Sequence, residues 1–171
     1  MKNSLITYLL SFFFLVSCFR AMSNGSSRTD SMICLEVDGK IINALEGDDA
    51  TCLIELFNSN TLVSWATLKE GRKSFKFLLK KNSVYTIKIS KRGYITRLVG
   101  VDTKAAVRDV DEEDLYNFSF ETKLLKSEEL EKLDKEFLDF PIALIYFDTK
   151  KECFVYDKEY TSRIKKEVVM K

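Results

Sequence analysis

The chain has 171 residues, 46% hydrophobic and 31% charged, which is enough for one compact domain with a small appendage. Its 27 basic and 26 acidic residues leave a net charge of +1, which argues against nucleic acid as a partner. The chain contains no histidine, so the commonest general base and the commonest zinc ligand are missing. The composition therefore favours a non-catalytic protein without a cofactor.

The chain begins with a pattern typical of a signal peptide. Lys2 precedes an apolar-rich run at 5–16, about 12 residues long, whereas a membrane-spanning helix needs about 20. The run ends in Leu15-Val16-Ser17-Cys18, which resembles a bacterial lipobox, where the cysteine is acylated and becomes the first residue of the mature chain. The alternative is an ordinary signal peptide in which Cys18 is incidental.

The lipobox interpretation divides the N-terminal part into two segments. Residues 1–17 form the signal peptide, and residues 18–31, which are polar and rich in Ser and Gly, form a flexible tether behind the lipidated cysteine. Two or three acyl chains on Cys18 would hold a protein stably in a membrane. The lipid bilayer is thus an expected partner, contacted through Cys18.

From residue 32 onward apolar and polar residues alternate, which is typical of half-buried β-strands. Turn residues separate the predicted strands, which lie at hairpin spacing: 32–42, 51–57, 61–67, 73–79, 84–90, 94–101 and 115–124. Seven short strands predict a mainly β protein with a Greek-key-like β-sandwich.

Three further cysteines follow Cys18, namely Cys34, Cys52 and Cys153. Strand alternation places Cys34 with Glu36 on the polar face of the first strand and Cys52 on the apolar face of the second. Because these side chains would point in opposite directions, no Cys34–Cys52 disulfide is expected. Cys52 is interpreted as a small buried hydrophobe.

Residues 125–171 are predicted to form a helical connector, a hairpin and a C-terminal helix, packed on the sandwich as a small module. Residues 142–147 are apolar at successive positions, so this strand is expected to be covered on both faces. The helix is predicted to begin after a cap at Asp157 and to carry apolar residues at a spacing of four: Tyr156, Tyr160, Ile164 and Val168.

The run FKFLLKKNSVYTIKISKRGYITRLVGVDTK at 75–104 resembles the signature of carboxypeptidase regulatory-like domains, which are transthyretin-related sandwiches. The opening strands of such domains are matched by VDGKI at 37–41 and by GDDA at 47–50, where two aspartates interrupt the usual Gly-Ala pair. The resemblance covers residues 32–124, and the whole chain is similar to lipoproteins of the Bacteroidetes. It implies a transthyretin-related fold and brings no catalytic residues.

Two aromatic residues are weak candidates for ligand binding. Gly93 is expected to supply the positive φ of a chain reversal, and Tyr94 to close the end of the sandwich with its hydroxyl bonded to backbone, as in a tyrosine corner. Trp65, in a predicted edge strand, is expected to anchor the core. For both aromatics the alternative is stacking on a sugar or another ligand.

Five acidic residues crowd one predicted loop: Asp109, Asp111, Glu112, Glu113 and Asp114. Calcium favours such oxygen-rich loops, but the loop lacks the glycine and the spacing of a calcium-binding motif. These residues are weak metal candidates, and a solvated loop is expected.

Two functional classes remain open. The leading one is a non-catalytic, monomeric envelope lipoprotein that serves as a scaffold or recognition module for an envelope protein or glycan. The alternative is a hydrolase or metal-dependent activity on cell-wall or surface polymer that uses the acidic loop. Because no acidic residue follows Cys18 before Asp30, the resemblance to Bacteroidetes lipoproteins implies an outer-membrane anchor facing the periplasm.

Overall fold

The computed structural model describes residues 33–42, 51–104, 115–128 and 138–169. Nine strands and one helix lie in these ranges: β1 (Ile33–Ile41), β2 (Cys52–Asn58), β3 (Thr61–Leu68), β4 (Ser74–Lys80), β5 (Val84–Ser90), β6 (Arg97–Asp102), β7 (Tyr116–Thr122), β8 (Ala143–Asp148), β9 (Cys153–Tyr156) and α1 (Lys158–Val169). The predicted mainly β architecture is confirmed. Each predicted strand has a counterpart, although β6 begins three residues later than expected, at Arg97.

The strands form two sheets. The smaller sheet has the order β4-β1-β7, with β1 antiparallel to β4 and parallel to β7. The larger sheet has the order β3-β2-β5-β6-β8-β9, and its only parallel pair among the described strands is β6 with β8. The hairpin β8-β9 therefore continues this sheet, so a boundary after residue 124 does not separate it from the sandwich strands.

The core lies between the two sheets, where their apolar faces meet. The alternation predicted for β4 and β5 is confirmed, since these inward residues are buried: Phe75, Phe77, Leu79, Tyr85, Ile87 and Ile89. The lysines between them face outward, where Lys76 pairs with Glu36 and Lys88 with Glu55. Burial of the apolar faces is the main force that holds the sheets together.

A β-bulge in β1 changes the direction of Cys34. The register with β4 shifts between Ile33 and Leu35, and both Cys34 and Leu35 are buried. The prediction that Cys34 lies on the polar face is wrong, because a bulge adds one residue and breaks the two-residue alternation. Cys52 is buried as predicted, and Cys34, Cys52 and Cys153 are all free thiols.

We expect the buried thiols to resist alkylation in the folded protein. Burial raises the pKa of both Cys34 and Cys52 to about 11, which leaves very little reactive thiolate at pH 8. Half-buried Cys153 should react first with iodoacetamide at this pH, and the other two only in urea, as followed by mass spectrometry of the peptides. Rapid labelling of Cys52 without denaturant would contradict the buried position.

Among the described residues, the outer face of β8 is open at Tyr146. Ile145 and Phe147 point inward and are buried, whereas Tyr146 is 40% exposed on the outer face. The prediction that both faces are covered is wrong, since the described residues place no second layer over Tyr146. The apolar run at 142–147 thus behaves as a strand near the edge of a sandwich sheet.

The C-terminal helix begins where the sequence predicts. The Oδ1 atom of Asp157 accepts a hydrogen bond of 2.8 Å from the backbone N–H of Tyr160, which is the geometry of a helix N-cap. Ile164 is buried and Tyr160 half-buried, while Tyr156 is exposed. The side chain of Val168 and the connector at 129–137 lie outside the described residues.

Within the described ranges, no helix has the length and apolar character needed to cross a bilayer.

Candidate functional site: a cavity between the sheets

Trp65 lies on the solvent side of the larger sheet. Its neighbours Ala66 and Leu68 take the inward positions of β3, and the Trp65 side chain is 65% exposed. The prediction that it anchors the core is wrong. Successive side chains of a strand point to opposite faces, and in β3 Trp65 falls on the outer face. Trp65 does not reach the cavity described below.

Tyr94 packs against the edge of the core. Gly93 before it has the predicted positive φ, 76°, and the Lys91 ammonium lies 5.4 Å from the centre of the Tyr94 ring. One tyrosine hydroxyl that bonds to backbone lies at the other end of β5, where Tyr85 accepts a 3.1 Å hydrogen bond from the N–H of Lys80. The corner role of Tyr94 stays a prediction.

Other predicted site residues lie outside the described ranges. Cys18 is one of them, and so are the acidic candidates Asp109, Asp111, Glu112, Glu113 and Asp114. Among the residues that the structure does describe, no group of three or more acidic, cysteine or histidine side chains could hold a metal ion.

A cavity of about 700 Å³ opens between the two sheets. It lies where β7, an edge strand of the smaller sheet, faces β6 and β8 of the larger one. Most of its wall is apolar, and the inward side chains that form it are Val99, Phe118, Phe120, Ile142, Ala143 and Ile145. Phe118 and Phe120 are only half-buried, because no further strand is paired with β7 among the described residues.

The helix α1 closes one end of the cavity through Thr161 and Ile164. Two hydrogen bonds hold its first turn against the larger sheet. The hydroxyl of Tyr160 donates to the carbonyl of Pro141 at 2.9 Å, and the N–H of Asp157 donates to the carbonyl of Leu144 at 2.8 Å.

Three buried polar side chains line the cavity: Arg97, Thr122 and Thr161. Arg97 is 8% exposed and shares the inward face of β6 with Val99, and Thr161 is 9% exposed. Val99 pairs with Ala143 in the parallel register of β6 and β8. Arg97 therefore lies beside Pro141, the residue to which the first turn of α1 is bonded.

The hydroxyl of Thr161 has no hydrogen-bond partner among the described residues, although it is buried. A buried polar group that makes no hydrogen bond is uncommon and costs stability. It is a donor available to a molecule that enters the cavity.

The charges at the cavity differ in their exposure. Glu121 and Lys123 are exposed, and Glu121 is paired with Lys40 at 2.7 Å. Arg97 is the buried charge among the described lining residues. The interior of the cavity therefore combines apolar walls with one buried cation and two buried threonine hydroxyls, those of Thr122 and Thr161, a set of groups that can bind and orient a molecule.

Sequence reasoning did not identify Arg97 as a site residue. The signal was present in TRLVGV at 96–101, where strand alternation places Arg97 on the same face as Val99 and Val101. An arginine on the apolar face of a strand is unusual, since charged side chains are rarely buried unless they are paired. The sequence carries no comparable signal for Thr161, because the side chain faces the cavity only through the packing of α1 on the sheets.

No protein-family model matches the sequence, and a search of curated proteins finds no significant match. The carboxypeptidase regulatory-like assignment therefore stays a prediction.

Proposed function

We propose that the chain is a non-catalytic lipoprotein of the cell envelope, anchored through Cys18, whose sandwich recognises and holds another envelope component. The proposal includes a transthyretin-related, Greek-key-like fold of the carboxypeptidase regulatory-like type. It also includes attachment to the outer membrane on the periplasmic side. The single observation that supports binding is the cavity between the sheets.

The cavity has the properties of a binding site. Its volume of about 700 Å³ falls within the range of about 300–1,000 Å³ found for sites that hold small molecules. Such sites combine apolar walls with a few fixed polar groups that orient the ligand, a role that Arg97 and Thr161 can fill here. The acidic loop of the alternative hydrolase lies outside the described residues, and no observation within them favours that activity.

Membrane attachment is tested at Cys18. Because the thioether to the acyl chains would form on this sulfur, Cys18→Ala should abolish incorporation of radiolabelled palmitate into the protein in growing bacteria. Cys153→Ala is the matched control and should be labelled like the wild type. Label that survives in Cys18→Ala would remove the lipoprotein from the proposal.

Binding in the cavity is tested at Ala143, whose side chain faces it from β8. Ala143→Leu adds three carbon atoms inside the cavity, and the full chain extracted from membranes should then lose bound molecules that native mass spectrometry detects on the wild type. Asn117→Leu is the matched control, since Asn117 is exposed on the outer face of β7. Identical bound molecules in the wild type and Ala143→Leu would contradict binding at this place.

A further inference from the structure

We infer that the cavity holds a long-chain carboxylate, whose head group is bound by Arg97 and Thr161 and whose chain lies between β7 and the strands β6 and β8. The inference rests on the proposed binding function and names its ligand class.

The polar end of the cavity suits a carboxylate. The guanidinium of Arg97 carries five N–H donors, so it can bind an added anion while it keeps other partners. Hydrogen bonds between a guanidinium and a carboxylate are charge-assisted and strong, especially when they are shielded from water. The Thr161 hydroxyl, which bonds to none of the described residues, would donate to the same head group.

The remainder of the cavity suits an unbranched apolar chain. Residues 118–123 run along one wall, and at about 3.3 Å per residue this gives a length of roughly 17 Å. The rings of Phe118 and Phe120 and the side chains of Val99 and Ile145 offer no hydrogen bonds along this length. An acyl chain needs none, because its burial is favourable by itself.

Two other ligand classes fit less well. A cation would meet the like charge of Arg97 in a buried place, which is unfavourable. A glycan carries many hydroxyl groups, and each would need a hydrogen-bond partner once removed from water. The buried part of the described walls supplies few such partners, namely Arg97, Thr122 and Thr161, so the charge and the walls together favour a fatty acid.

The test uses the full chain in phosphatidylcholine nanodiscs and, as probe, palmitic acid that carries a photoreactive diazirine near the end of its chain. We expect crosslinks on peptides that contain Phe118 or Ile145, which line the cavity away from Arg97 and Thr161, identified by mass spectrometry. Unlabelled palmitate should compete about tenfold or more better than methyl palmitate, because only the acid can use the charged hydrogen bonds to Arg97.

Matched variants assign the head group to its site. Arg97→Met should remove the preference for the acid over the ester, whereas Arg92→Met, at an exposed position, should keep it. Because Arg97 is buried, its replacement can also disturb folding. Thr161→Val is therefore the second variant: it removes only the hydroxyl, should leave the melting temperature unchanged, and should reduce the preference severalfold. Ser162→Ala is its exposed control.

The outcomes separate this inference from the proposed function. Cavity labelling on which palmitate and methyl palmitate compete equally would overturn the carboxylate and leave an apolar binding site. Absence of cavity labelling, together with a different bound molecule that Ala143→Leu displaces, would overturn the inference alone. If the cavity is not labelled and Ala143→Leu displaces no bound molecule, the inference and the proposed function are both overturned.

Discussion

Truncation of the chain after Tyr156, which removes α1, is expected to lower the free energy of unfolding by roughly 3–6 kcal/mol, a large share of the ~5–15 kcal/mol typical of a domain. Ile164 is buried against Ile95, and full burial of such a side chain is worth about 1.5–3 kcal/mol. The hydrogen bond from the Tyr160 hydroxyl to Pro141 adds about 1 kcal/mol. The buried side chain of Ile95 would in addition lose its cover.

The measurement is urea denaturation followed by circular dichroism. A point variant separates packing from the loss of chain: Ile164→Ala alone should cost about 2–4 kcal/mol, while exposed Ser162→Ala should change stability by less than about 0.5 kcal/mol. An unchanged midpoint after truncation would show that α1 does not stabilise the sandwich. It would also remove the wall that carries Thr161 from the proposed ligand site.

Gly39→Ala is expected to destabilise the protein by about 1–3 kcal/mol, which is the usual cost of overpacking a core. A methyl group added at Gly39 would overlap the ring of Phe75, which lies over this glycine. Phe75 is itself buried between other aromatic rings, with Phe77 at 5.5 Å and Phe120 at 6.1 Å between ring centres. The ring therefore has little room to move away.

Gly100→Ala is the matched control for this substitution. Its added methyl group would lie 2.8 Å from Cδ2 of Leu144, the end of a flexible and only half-buried side chain. Because the Leu144 side chain can rotate away, we expect Gly100→Ala to lower the stability less than Gly39→Ala does. The measurement is the shift in melting temperature by differential scanning calorimetry. Equal shifts for the two variants would contradict the packing of Phe75 on Gly39.

Local patterns in the sequence predict the strands well. The inward residues Phe75, Phe77 and Leu79 follow from alternation alone, since successive side chains of a strand point to opposite faces. The N-cap at Asp157 and the positive φ at Gly93 are likewise properties of a few neighbouring residues. Each of these features depends on short stretches of chain, and the sequence by itself therefore determines them.

Features that depend on distant parts of the chain were decided only by the tertiary structure. The bulge that turns Cys34 inward exists only in the pairing of β1 with β4, and the parallel pairing that adds β8 to the sheet joins residues more than 40 positions apart. The cavity depends on three such long-range arrangements: β7 lies at the edge of the smaller sheet, β8 extends the larger sheet, and α1 packs beside Arg97. Residue patterns indicate which face of a strand is buried, whereas the partner that covers it is chosen by packing across the whole domain.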